Sequence, residues 1–172
     1  MNHIVFQSKC QGYSHIKSDL ECQDSTLVKK TEKYAIAVVA DGHGSASYFR
    51  SSRGSLFATE AAITAIEELL ETILSDKSNM DDFCASIDKH LIQLERSVIA
   101  RWHERVEDDY SKNPFLDSEI LKVDEKHKEK YLKGERIEAA YGSTLIAVAC
   151  TDAFWFGIHI GDGKCITCDY RG

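Results

Sequence analysis

The residues Asp41-Gly42-His43-Gly44 follow an apolar run, Tyr34 to Ala40, and precede a long helical pattern. A carboxylate at the end of a rigid strand is held in place while its oxygens face an open loop. Glycines on both sides of the histidine let the backbone approach a ligand closely. Aspartate oxygens and backbone carbonyls are hard donors suited to magnesium or manganese. A histidine beside them can pass a proton near neutral pH. Alone, the tetrapeptide reads sooner as a turn ahead of a helix than as a metal site. Three other features shift that balance. Gly161-Asp162-Gly163 places a second aspartate in a glycine turn between strands, Cys22-Gln23-Asp24-Ser25 closes an early polar loop, and Gly142-Ser143-Thr144 opens a strand.

The elements that must position these residues follow from periodicity. Ile4 to Ser8 reads as a short strand, Gly12 to Asp24 as a loop, and Ser25 to Val28 as a strand. Tyr34 to Ala40 suits a strand covered on both faces. Leu56, Ile63, Ile66, Leu70 and Ile73 form one helical stripe. Asp76 to Asn79 reads as a turn with Asn79 as the N-cap. Phe83, Ile87, Leu91, Leu94, Val98, Trp102 and Val106 hold helical spacing for a second helix. A short turn between two such helices predicts an antiparallel pair on a common core. The alternating charge of residues 109–138 predicts an exposed, mobile connection with room for a short helix. A flap that touches substrate is the less favoured reading. Strands are then expected at 145–150, 154–160 and 164–170, with tight turns between. Strands, a helix pair, then a strand meander give the α+β class.

Composition bounds the function. The chain has 172 residues, with 21 lysines and arginines against 28 acidic residues, a formal net charge of −7. That length suits one domain over 1–172. The acidic balance leaves no basic footprint for nucleic acid. No stretch approaches the roughly 20 apolar residues of a membrane helix, and the N-terminus lacks the pattern of a secretory leader. A cytoplasmic protein with reduced, mostly buried thiols is the resulting expectation. Cys165 and Cys168 form a single C-x-x-C with no second pair, a poor zinc site.

Taken together, the four features resemble the metal-dependent protein phosphatase family, type 2C. Asp41-Gly42-His43-Gly44 resembles its first metal motif, Gly142-Ser143-Thr144 its Gly-Ser-Thr strand, and Gly161-Asp162-Gly163-Lys164 its Gly-Asp-Ser-Arg turn. Gly12-Tyr13-Ser14-His15 leading to Cys22-Gln23-Asp24-Ser25 looks like the bacterial branch of the family. The resemblance implies a β-sandwich flanked by helix pairs, with manganese or magnesium ions at one end and phosphoserine or phosphothreonine proteins as substrates. By that match Asp41 is a metal-bridging carboxylate, Gly42 lends its carbonyl to a metal, and Asp162 serves a further metal position. His43 is the general acid toward the leaving alkoxide. Asp24 hydrogen-bonds metal-bound waters or orients ligands, and Gln23 stands beside it.

Three departures qualify the match. The family's phosphate-binding arginine is absent, and Ser14 occupies its neighbourhood. His15 and Lys17 are weak substitutes because neither has the bidentate fork of arginine, so the phosphate-binding group is unassigned. Gln23 stands where many members carry glutamate, which removes a negative charge. The family's remaining metal aspartates and its second helix pair have no counterpart before Gly172. The expectation is therefore the N-terminal part of a type 2C domain, a partial sandwich with one antiparallel helix pair. Its sheet edges would be exposed and prone to pair in a dimer. The alternative is a non-catalytic binding or regulatory module on the same fold.

Overall fold

The structure, a computed structural model, describes residues 4–17 and 21–168. Its centre is a four-stranded sheet of β1 (Asp24–Lys30), β2 (Tyr34–Asp41), β3 (Leu145–Thr151) and β4 (Trp155–Ile160). The strands lie side by side in chain order and every pair is antiparallel. The helices are α1 (Tyr13–Lys17), α2 (Ser51–Ile73), α3 (Lys77–Ala85), α4 (Ile87–Lys112), α5 (Asp117–Ile120), α6 (Glu125–Leu132) and α7 (Ile137–Ala140). This is the expected α+β class.

Alternation decides which face of the sheet the helices cover. In β3, Leu145, Ala147, Ala149 and Thr151 are buried, while Ile146, Val148 and Cys150 are only partly covered. The buried set meets Ile36 and Val38 of β2 and Ala61, Ala62, Ile66 and Leu70 of α2. Alanines on that face of α2 let its backbone lie close to the sheet, and the branched residues fill the space on either side. Each fully buried Ile or Leu adds about 1.5–3 kcal/mol. α4 runs antiparallel to α2, as ion pairs Arg101–Glu68 at 2.5 Å and Arg105–Glu60 at 2.6 Å show. These pairs are largely exposed and stabilise little, but they record the direction of the pair.

Several local expectations need correction. Ile4 to Ser8 is not a strand. Ile4 and Phe6 are 89% and 86% exposed, and the segment lies against the sheet face away from the helices without joining the ladder. Ile66, Leu70 and Ile73 of the expected α2 stripe are buried and Ile63 packs against them, but Leu56 is exposed, and Ala58, Ala62 and Ala65 complete the inward face. The cap of α3 is Asp76, whose carboxylate accepts from the Ser78 N–H at 2.7 Å. Asn79 lies inside that helix and donates to the Thr72 carbonyl near the end of α2. The second long helix is interrupted at Ser86, where φ −140° and ψ 43° leave the helical region. Residues 164–168 are irregular rather than a strand, and the rest of that expected strand lies outside the described residues. Cys10, Cys84, Cys165 and Cys168 are exposed rather than buried, and all six cysteines are free.

The largest correction concerns residues 109–138. They form the end of α4 and the helices α5 and α6, and lead into α7. Val106, Ile120, Val123, Tyr131, Ala140 and Tyr141 make a second core there, with Phe49 and Phe115 packed against it. Phe115 meets Phe49 edge-on at 4.9 Å and Tyr110 at 4.7 Å, geometries that favour aromatic pairs. Single apolar residues scattered among charges, in helices of one or two turns, show no periodicity to read. A few aromatics nevertheless suffice to bury the segment against the start of α2.

Candidate active site at the end of the sheet

The end of β2 is fixed by backbone bonds from both sides. Asp41 is paired in register with Asp24 of β1. Its carbonyl accepts from the Thr144 N–H at 2.8 Å and from the Ser143 hydroxyl at 3.1 Å, and its N–H donates to Thr144 Oγ1 at 3.2 Å. The Gly42 N–H donates to the Gln23 carbonyl at 3.1 Å, and Gly42 pairs with Ser143 in an isolated bridge. A Cβ on Gly42 would lie 2.7 Å from the carbonyl oxygens of Gln23 and Ser51. Crowding by two backbones is what demands glycine there. Gly44, by contrast, faces nothing closer than Gln23 Oε1 at 3.6 Å.

His43 extends this arrangement onto the loop. Its N–H donates to the Gly142 carbonyl at 3.0 Å, and its own carbonyl accepts from the Ser51 hydroxyl at 2.9 Å. The ring packs edge-on against Tyr48 at 4.5 Å. A Cβ on Gly142 would sit 2.7 Å from His43 Nδ1 and 2.8 Å from the Tyr48 ring, so the glycine of Gly142-Ser143-Thr144 makes room for the histidine. Gly161 is in the left-handed region at φ 102°, and its Cβ position is 2.9 Å from Thr144 Cγ2. That turn carries Asp162 back to the end of β2.

The result is a cleft of about 390 Å³ lined by Asp24, Asp41, Asp162, Thr144 and Lys9, among others. Partial burial raises the Asp41 pKa above the ordinary aspartate value. The Asp24 carboxyl adds to this by charge and by a shared hydrogen bond, and Asp162 adds by charge, while His43 pulls the other way. Three like charges converging on one cleft are costly without a cation.

The structure thus brings together Asp24, Asp41 and Asp162 from three separate stretches of sequence. Gly42 adjoins them, but His43 lies on the neighbouring loop rather than in the cleft lining. Gln23 contributes its backbone, since its carbonyl accepts from both the Gly42 N–H and the Ser55 hydroxyl, the latter at 2.6 Å. His15 and Lys17 belong to α1 and do not line the cleft; Lys17 lies over the Tyr13 ring at 4.8 Å. Lys9 and Cys10 line it without any signal in the sequence. Lys9 donates to the Asp24 carbonyl at 3.4 Å. Arg50 and Tyr141, which brace the loop from behind, were also invisible, because nothing local marks a buried ion pair.

The donor chemistry fits a hard cation. Among the described residues, no three His, Cys, Asp or Glu side chains converge closely enough to hold a metal ion alone. Two carboxylates and a backbone carbonyl suit magnesium or manganese, which commonly keep several waters.

Residues 11–172 match the family model described as protein phosphatase 2C, and the chain belongs to that family. Its members are protein phosphatases, hydrolases that generally depend on manganese or magnesium. The match spans every strand and helix described above. Comparison with curated proteins and with solved structures gives no match. No helix among the described residues is long and apolar enough to cross a membrane.

Proposed function

We propose that this chain acts on phosphoserine and phosphothreonine in proteins, using the cleft at the end of the sheet. The observation that carries the reading is the convergence of Asp24, Asp41 and Asp162 on one cleft in a chain of this family. Asp41, Asp162 and the Gly42 carbonyl would hold manganese or magnesium, with Asp24 hydrogen-bonding the ion's waters. Such an ion supplies a water of lowered pKa and neutralises phosphoryl oxygens. His43, on the loop beside the cleft rather than in its lining, would protonate the departing serine or threonine oxygen through Nε2, because Nδ1 is packed against Gly142. Thr144 and Ser143 hold the Asp41 backbone, so the carboxylate meets the ligand from one fixed direction. The sheet face away from the helices, with Val39 46% and Trp155 58% exposed, is where the second layer of a sandwich would pack.

The test is hydrolysis of a phosphothreonine peptide with manganese, and again with a chelator. Metal-dependent turnover that disappears in Asp41→Ala is the expected result. Turnover indifferent to chelator or to Asp41→Ala overturns the assignment. A folded protein with no turnover in manganese also overturns it, and leaves a non-catalytic binding module.

A further inference from the structure

Arg50 is 5% exposed and uses all five of its side-chain N–H groups. Nε and Nη2 grip the Glu119 carboxylate at 2.9 Å each. Nη1 donates to the Asn113 carbonyl at 2.6 Å and to the Tyr141 hydroxyl at 2.8 Å. Nη2 also donates to the Pro114 carbonyl at 3.1 Å. The guanidinium lies over the Phe115 ring at 4.8 Å. Tyr141 in turn donates to Asp109 at 2.6 Å, and Asp109 also receives Arg53 at 3.0 Å. Burial and Asp109 push the Tyr141 hydroxyl up to about 12, so it stays a donor throughout the neutral range.

Both ends of this cluster lead to the carboxylate cleft. The Arg50 N–H donates to the Ala140 carbonyl at 2.9 Å. From Tyr141 the chain continues directly into Gly142-Ser143-Thr144, which bonds the backbones of Asp41 and His43. Just before Arg50 lies the 43–49 loop, held by Tyr131, whose hydroxyl donates to the Ser47 carbonyl at 2.7 Å. A buried ion pair is a poor way to gain stability, since apolar replacements are often neutral or better. Its fully satisfied network instead specifies one geometry.

We propose that Arg50 is a positioning residue for the cleft: with Glu119 and Tyr141 it locks the 41–51 and 141–144 segments against each other, and residues 109–140 are the buttress that makes this possible. The functional half of the proposal rests on the phosphatase reading; the structural half does not.

The test uses Glu119→Gln and Tyr141→Phe in the full chain, below their melting temperatures, with Glu129→Gln as a control in an exposed pair. Three readouts are taken: amide hydrogen exchange, manganese affinity by calorimetry, and kcat and KM on a phosphothreonine peptide. Weakening the grip of Glu119 on Arg50, or removing both bonds of the Tyr141 hydroxyl, predicts roughly tenfold or greater acceleration of exchange at the His43 and Thr144 amides, with core amides of α2 unchanged. Manganese affinity and kcat fall together, by about tenfold, while KM stays within about twofold. Wild-type exchange at His43 and Thr144 in a folded variant overturns the proposal, whatever the enzyme does. Faster exchange with unchanged manganese affinity and kcat overturns it as well. A wild-type chain that neither binds manganese nor turns over fails the phosphatase reading instead, and the exchange data then decide the locking of the two segments by themselves.

Discussion

Gly54→Ala sets two physical effects against each other. In a helix interior, glycine to alanine stabilises by about 1 kcal/mol through propensity alone. Gly54, however, sits where α2 touches the turn before β3. A Cβ built there overlaps the Tyr141 carbonyl oxygen, with the carbonyl carbon at 2.6 Å and Cα at 3.0 Å. All three are backbone or Cα atoms, so no side chain can swing aside. Relief requires α2 and residues 140–141 to move apart, which strains the Arg50 N–H to Ala140 bond of 2.9 Å. Overpacking costs roughly 1–3 kcal/mol, and a weakened hydrogen bond adds about 1 kcal/mol. The overlap here belongs at the upper end of that range, so it outweighs propensity by about 2–3 kcal/mol. For a chain of this size the melting temperature should fall by roughly 4–12 °C. Circular dichroism melts and urea midpoints measure it, with Gly44→Ala as the control because its Cβ meets only Gln23 Oε1 at 3.6 Å. Equal or greater stability in Gly54→Ala would refute the close approach on which this reasoning depends.

Two further outcomes follow from the cleft and the sheet. Because the folded state raises the Asp41 pKa, it holds that proton better than the unfolded chain. Stability is therefore lost as pH rises from the ordinary aspartate value through the raised one. In chelator, Asp41→Asn should raise the melting temperature at pH 8 and give no gain at strongly acidic pH; an acid-side gain would reverse the sign argument. The part of the effect owed to the Asp24 and Asp162 charges should shrink in salt. β1 and β4 are the edges of the sheet, and we propose that such an edge pairs two copies. Light scattering should give a mass that climbs toward the dimer with concentration, and a constant monomer mass refutes the pairing.

The long, regular elements were legible because burial imposes a period. β2, β3 and β4 fall where the apolar runs do, and the two long helices where the stripes do. The carboxylates were legible for a different reason: Asp41 and Asp162 stand beside glycines whose crowding the structure now explains at Gly42 and Gly161. What failed was long-range. Ile4 and Phe6 have strand-like types but no neighbour to pair with. Asp76 and Asn79 are both good caps, and only the docking of α3 on the end of α2 decides between them. Residues 109–138 were read by charge, yet Tyr131 and Phe115 find partners more than 60 positions earlier, in Phe49. Nothing near Arg50 in the sequence marks it, because its partner Glu119 lies 69 positions away.

The chain-order sheet carries a kinetic consequence. β1 and β2 are joined by a tight hairpin, as are β3 and β4, but β2 and β3 are separated by residues 42–144. Closing a loop of about a hundred residues costs roughly 3 kcal/mol more than closing a four-residue turn. Each hairpin can form early, whereas the central pairing must wait until the helices and the 109–140 lobe have shortened the distance between its strands. Asp24 and Asp41 belong to the first hairpin, and Asp162 follows the second. Asp24 and Asp41 therefore meet as the first hairpin forms, whereas Asp162 joins them, and completes the cleft, only as the sheet closes.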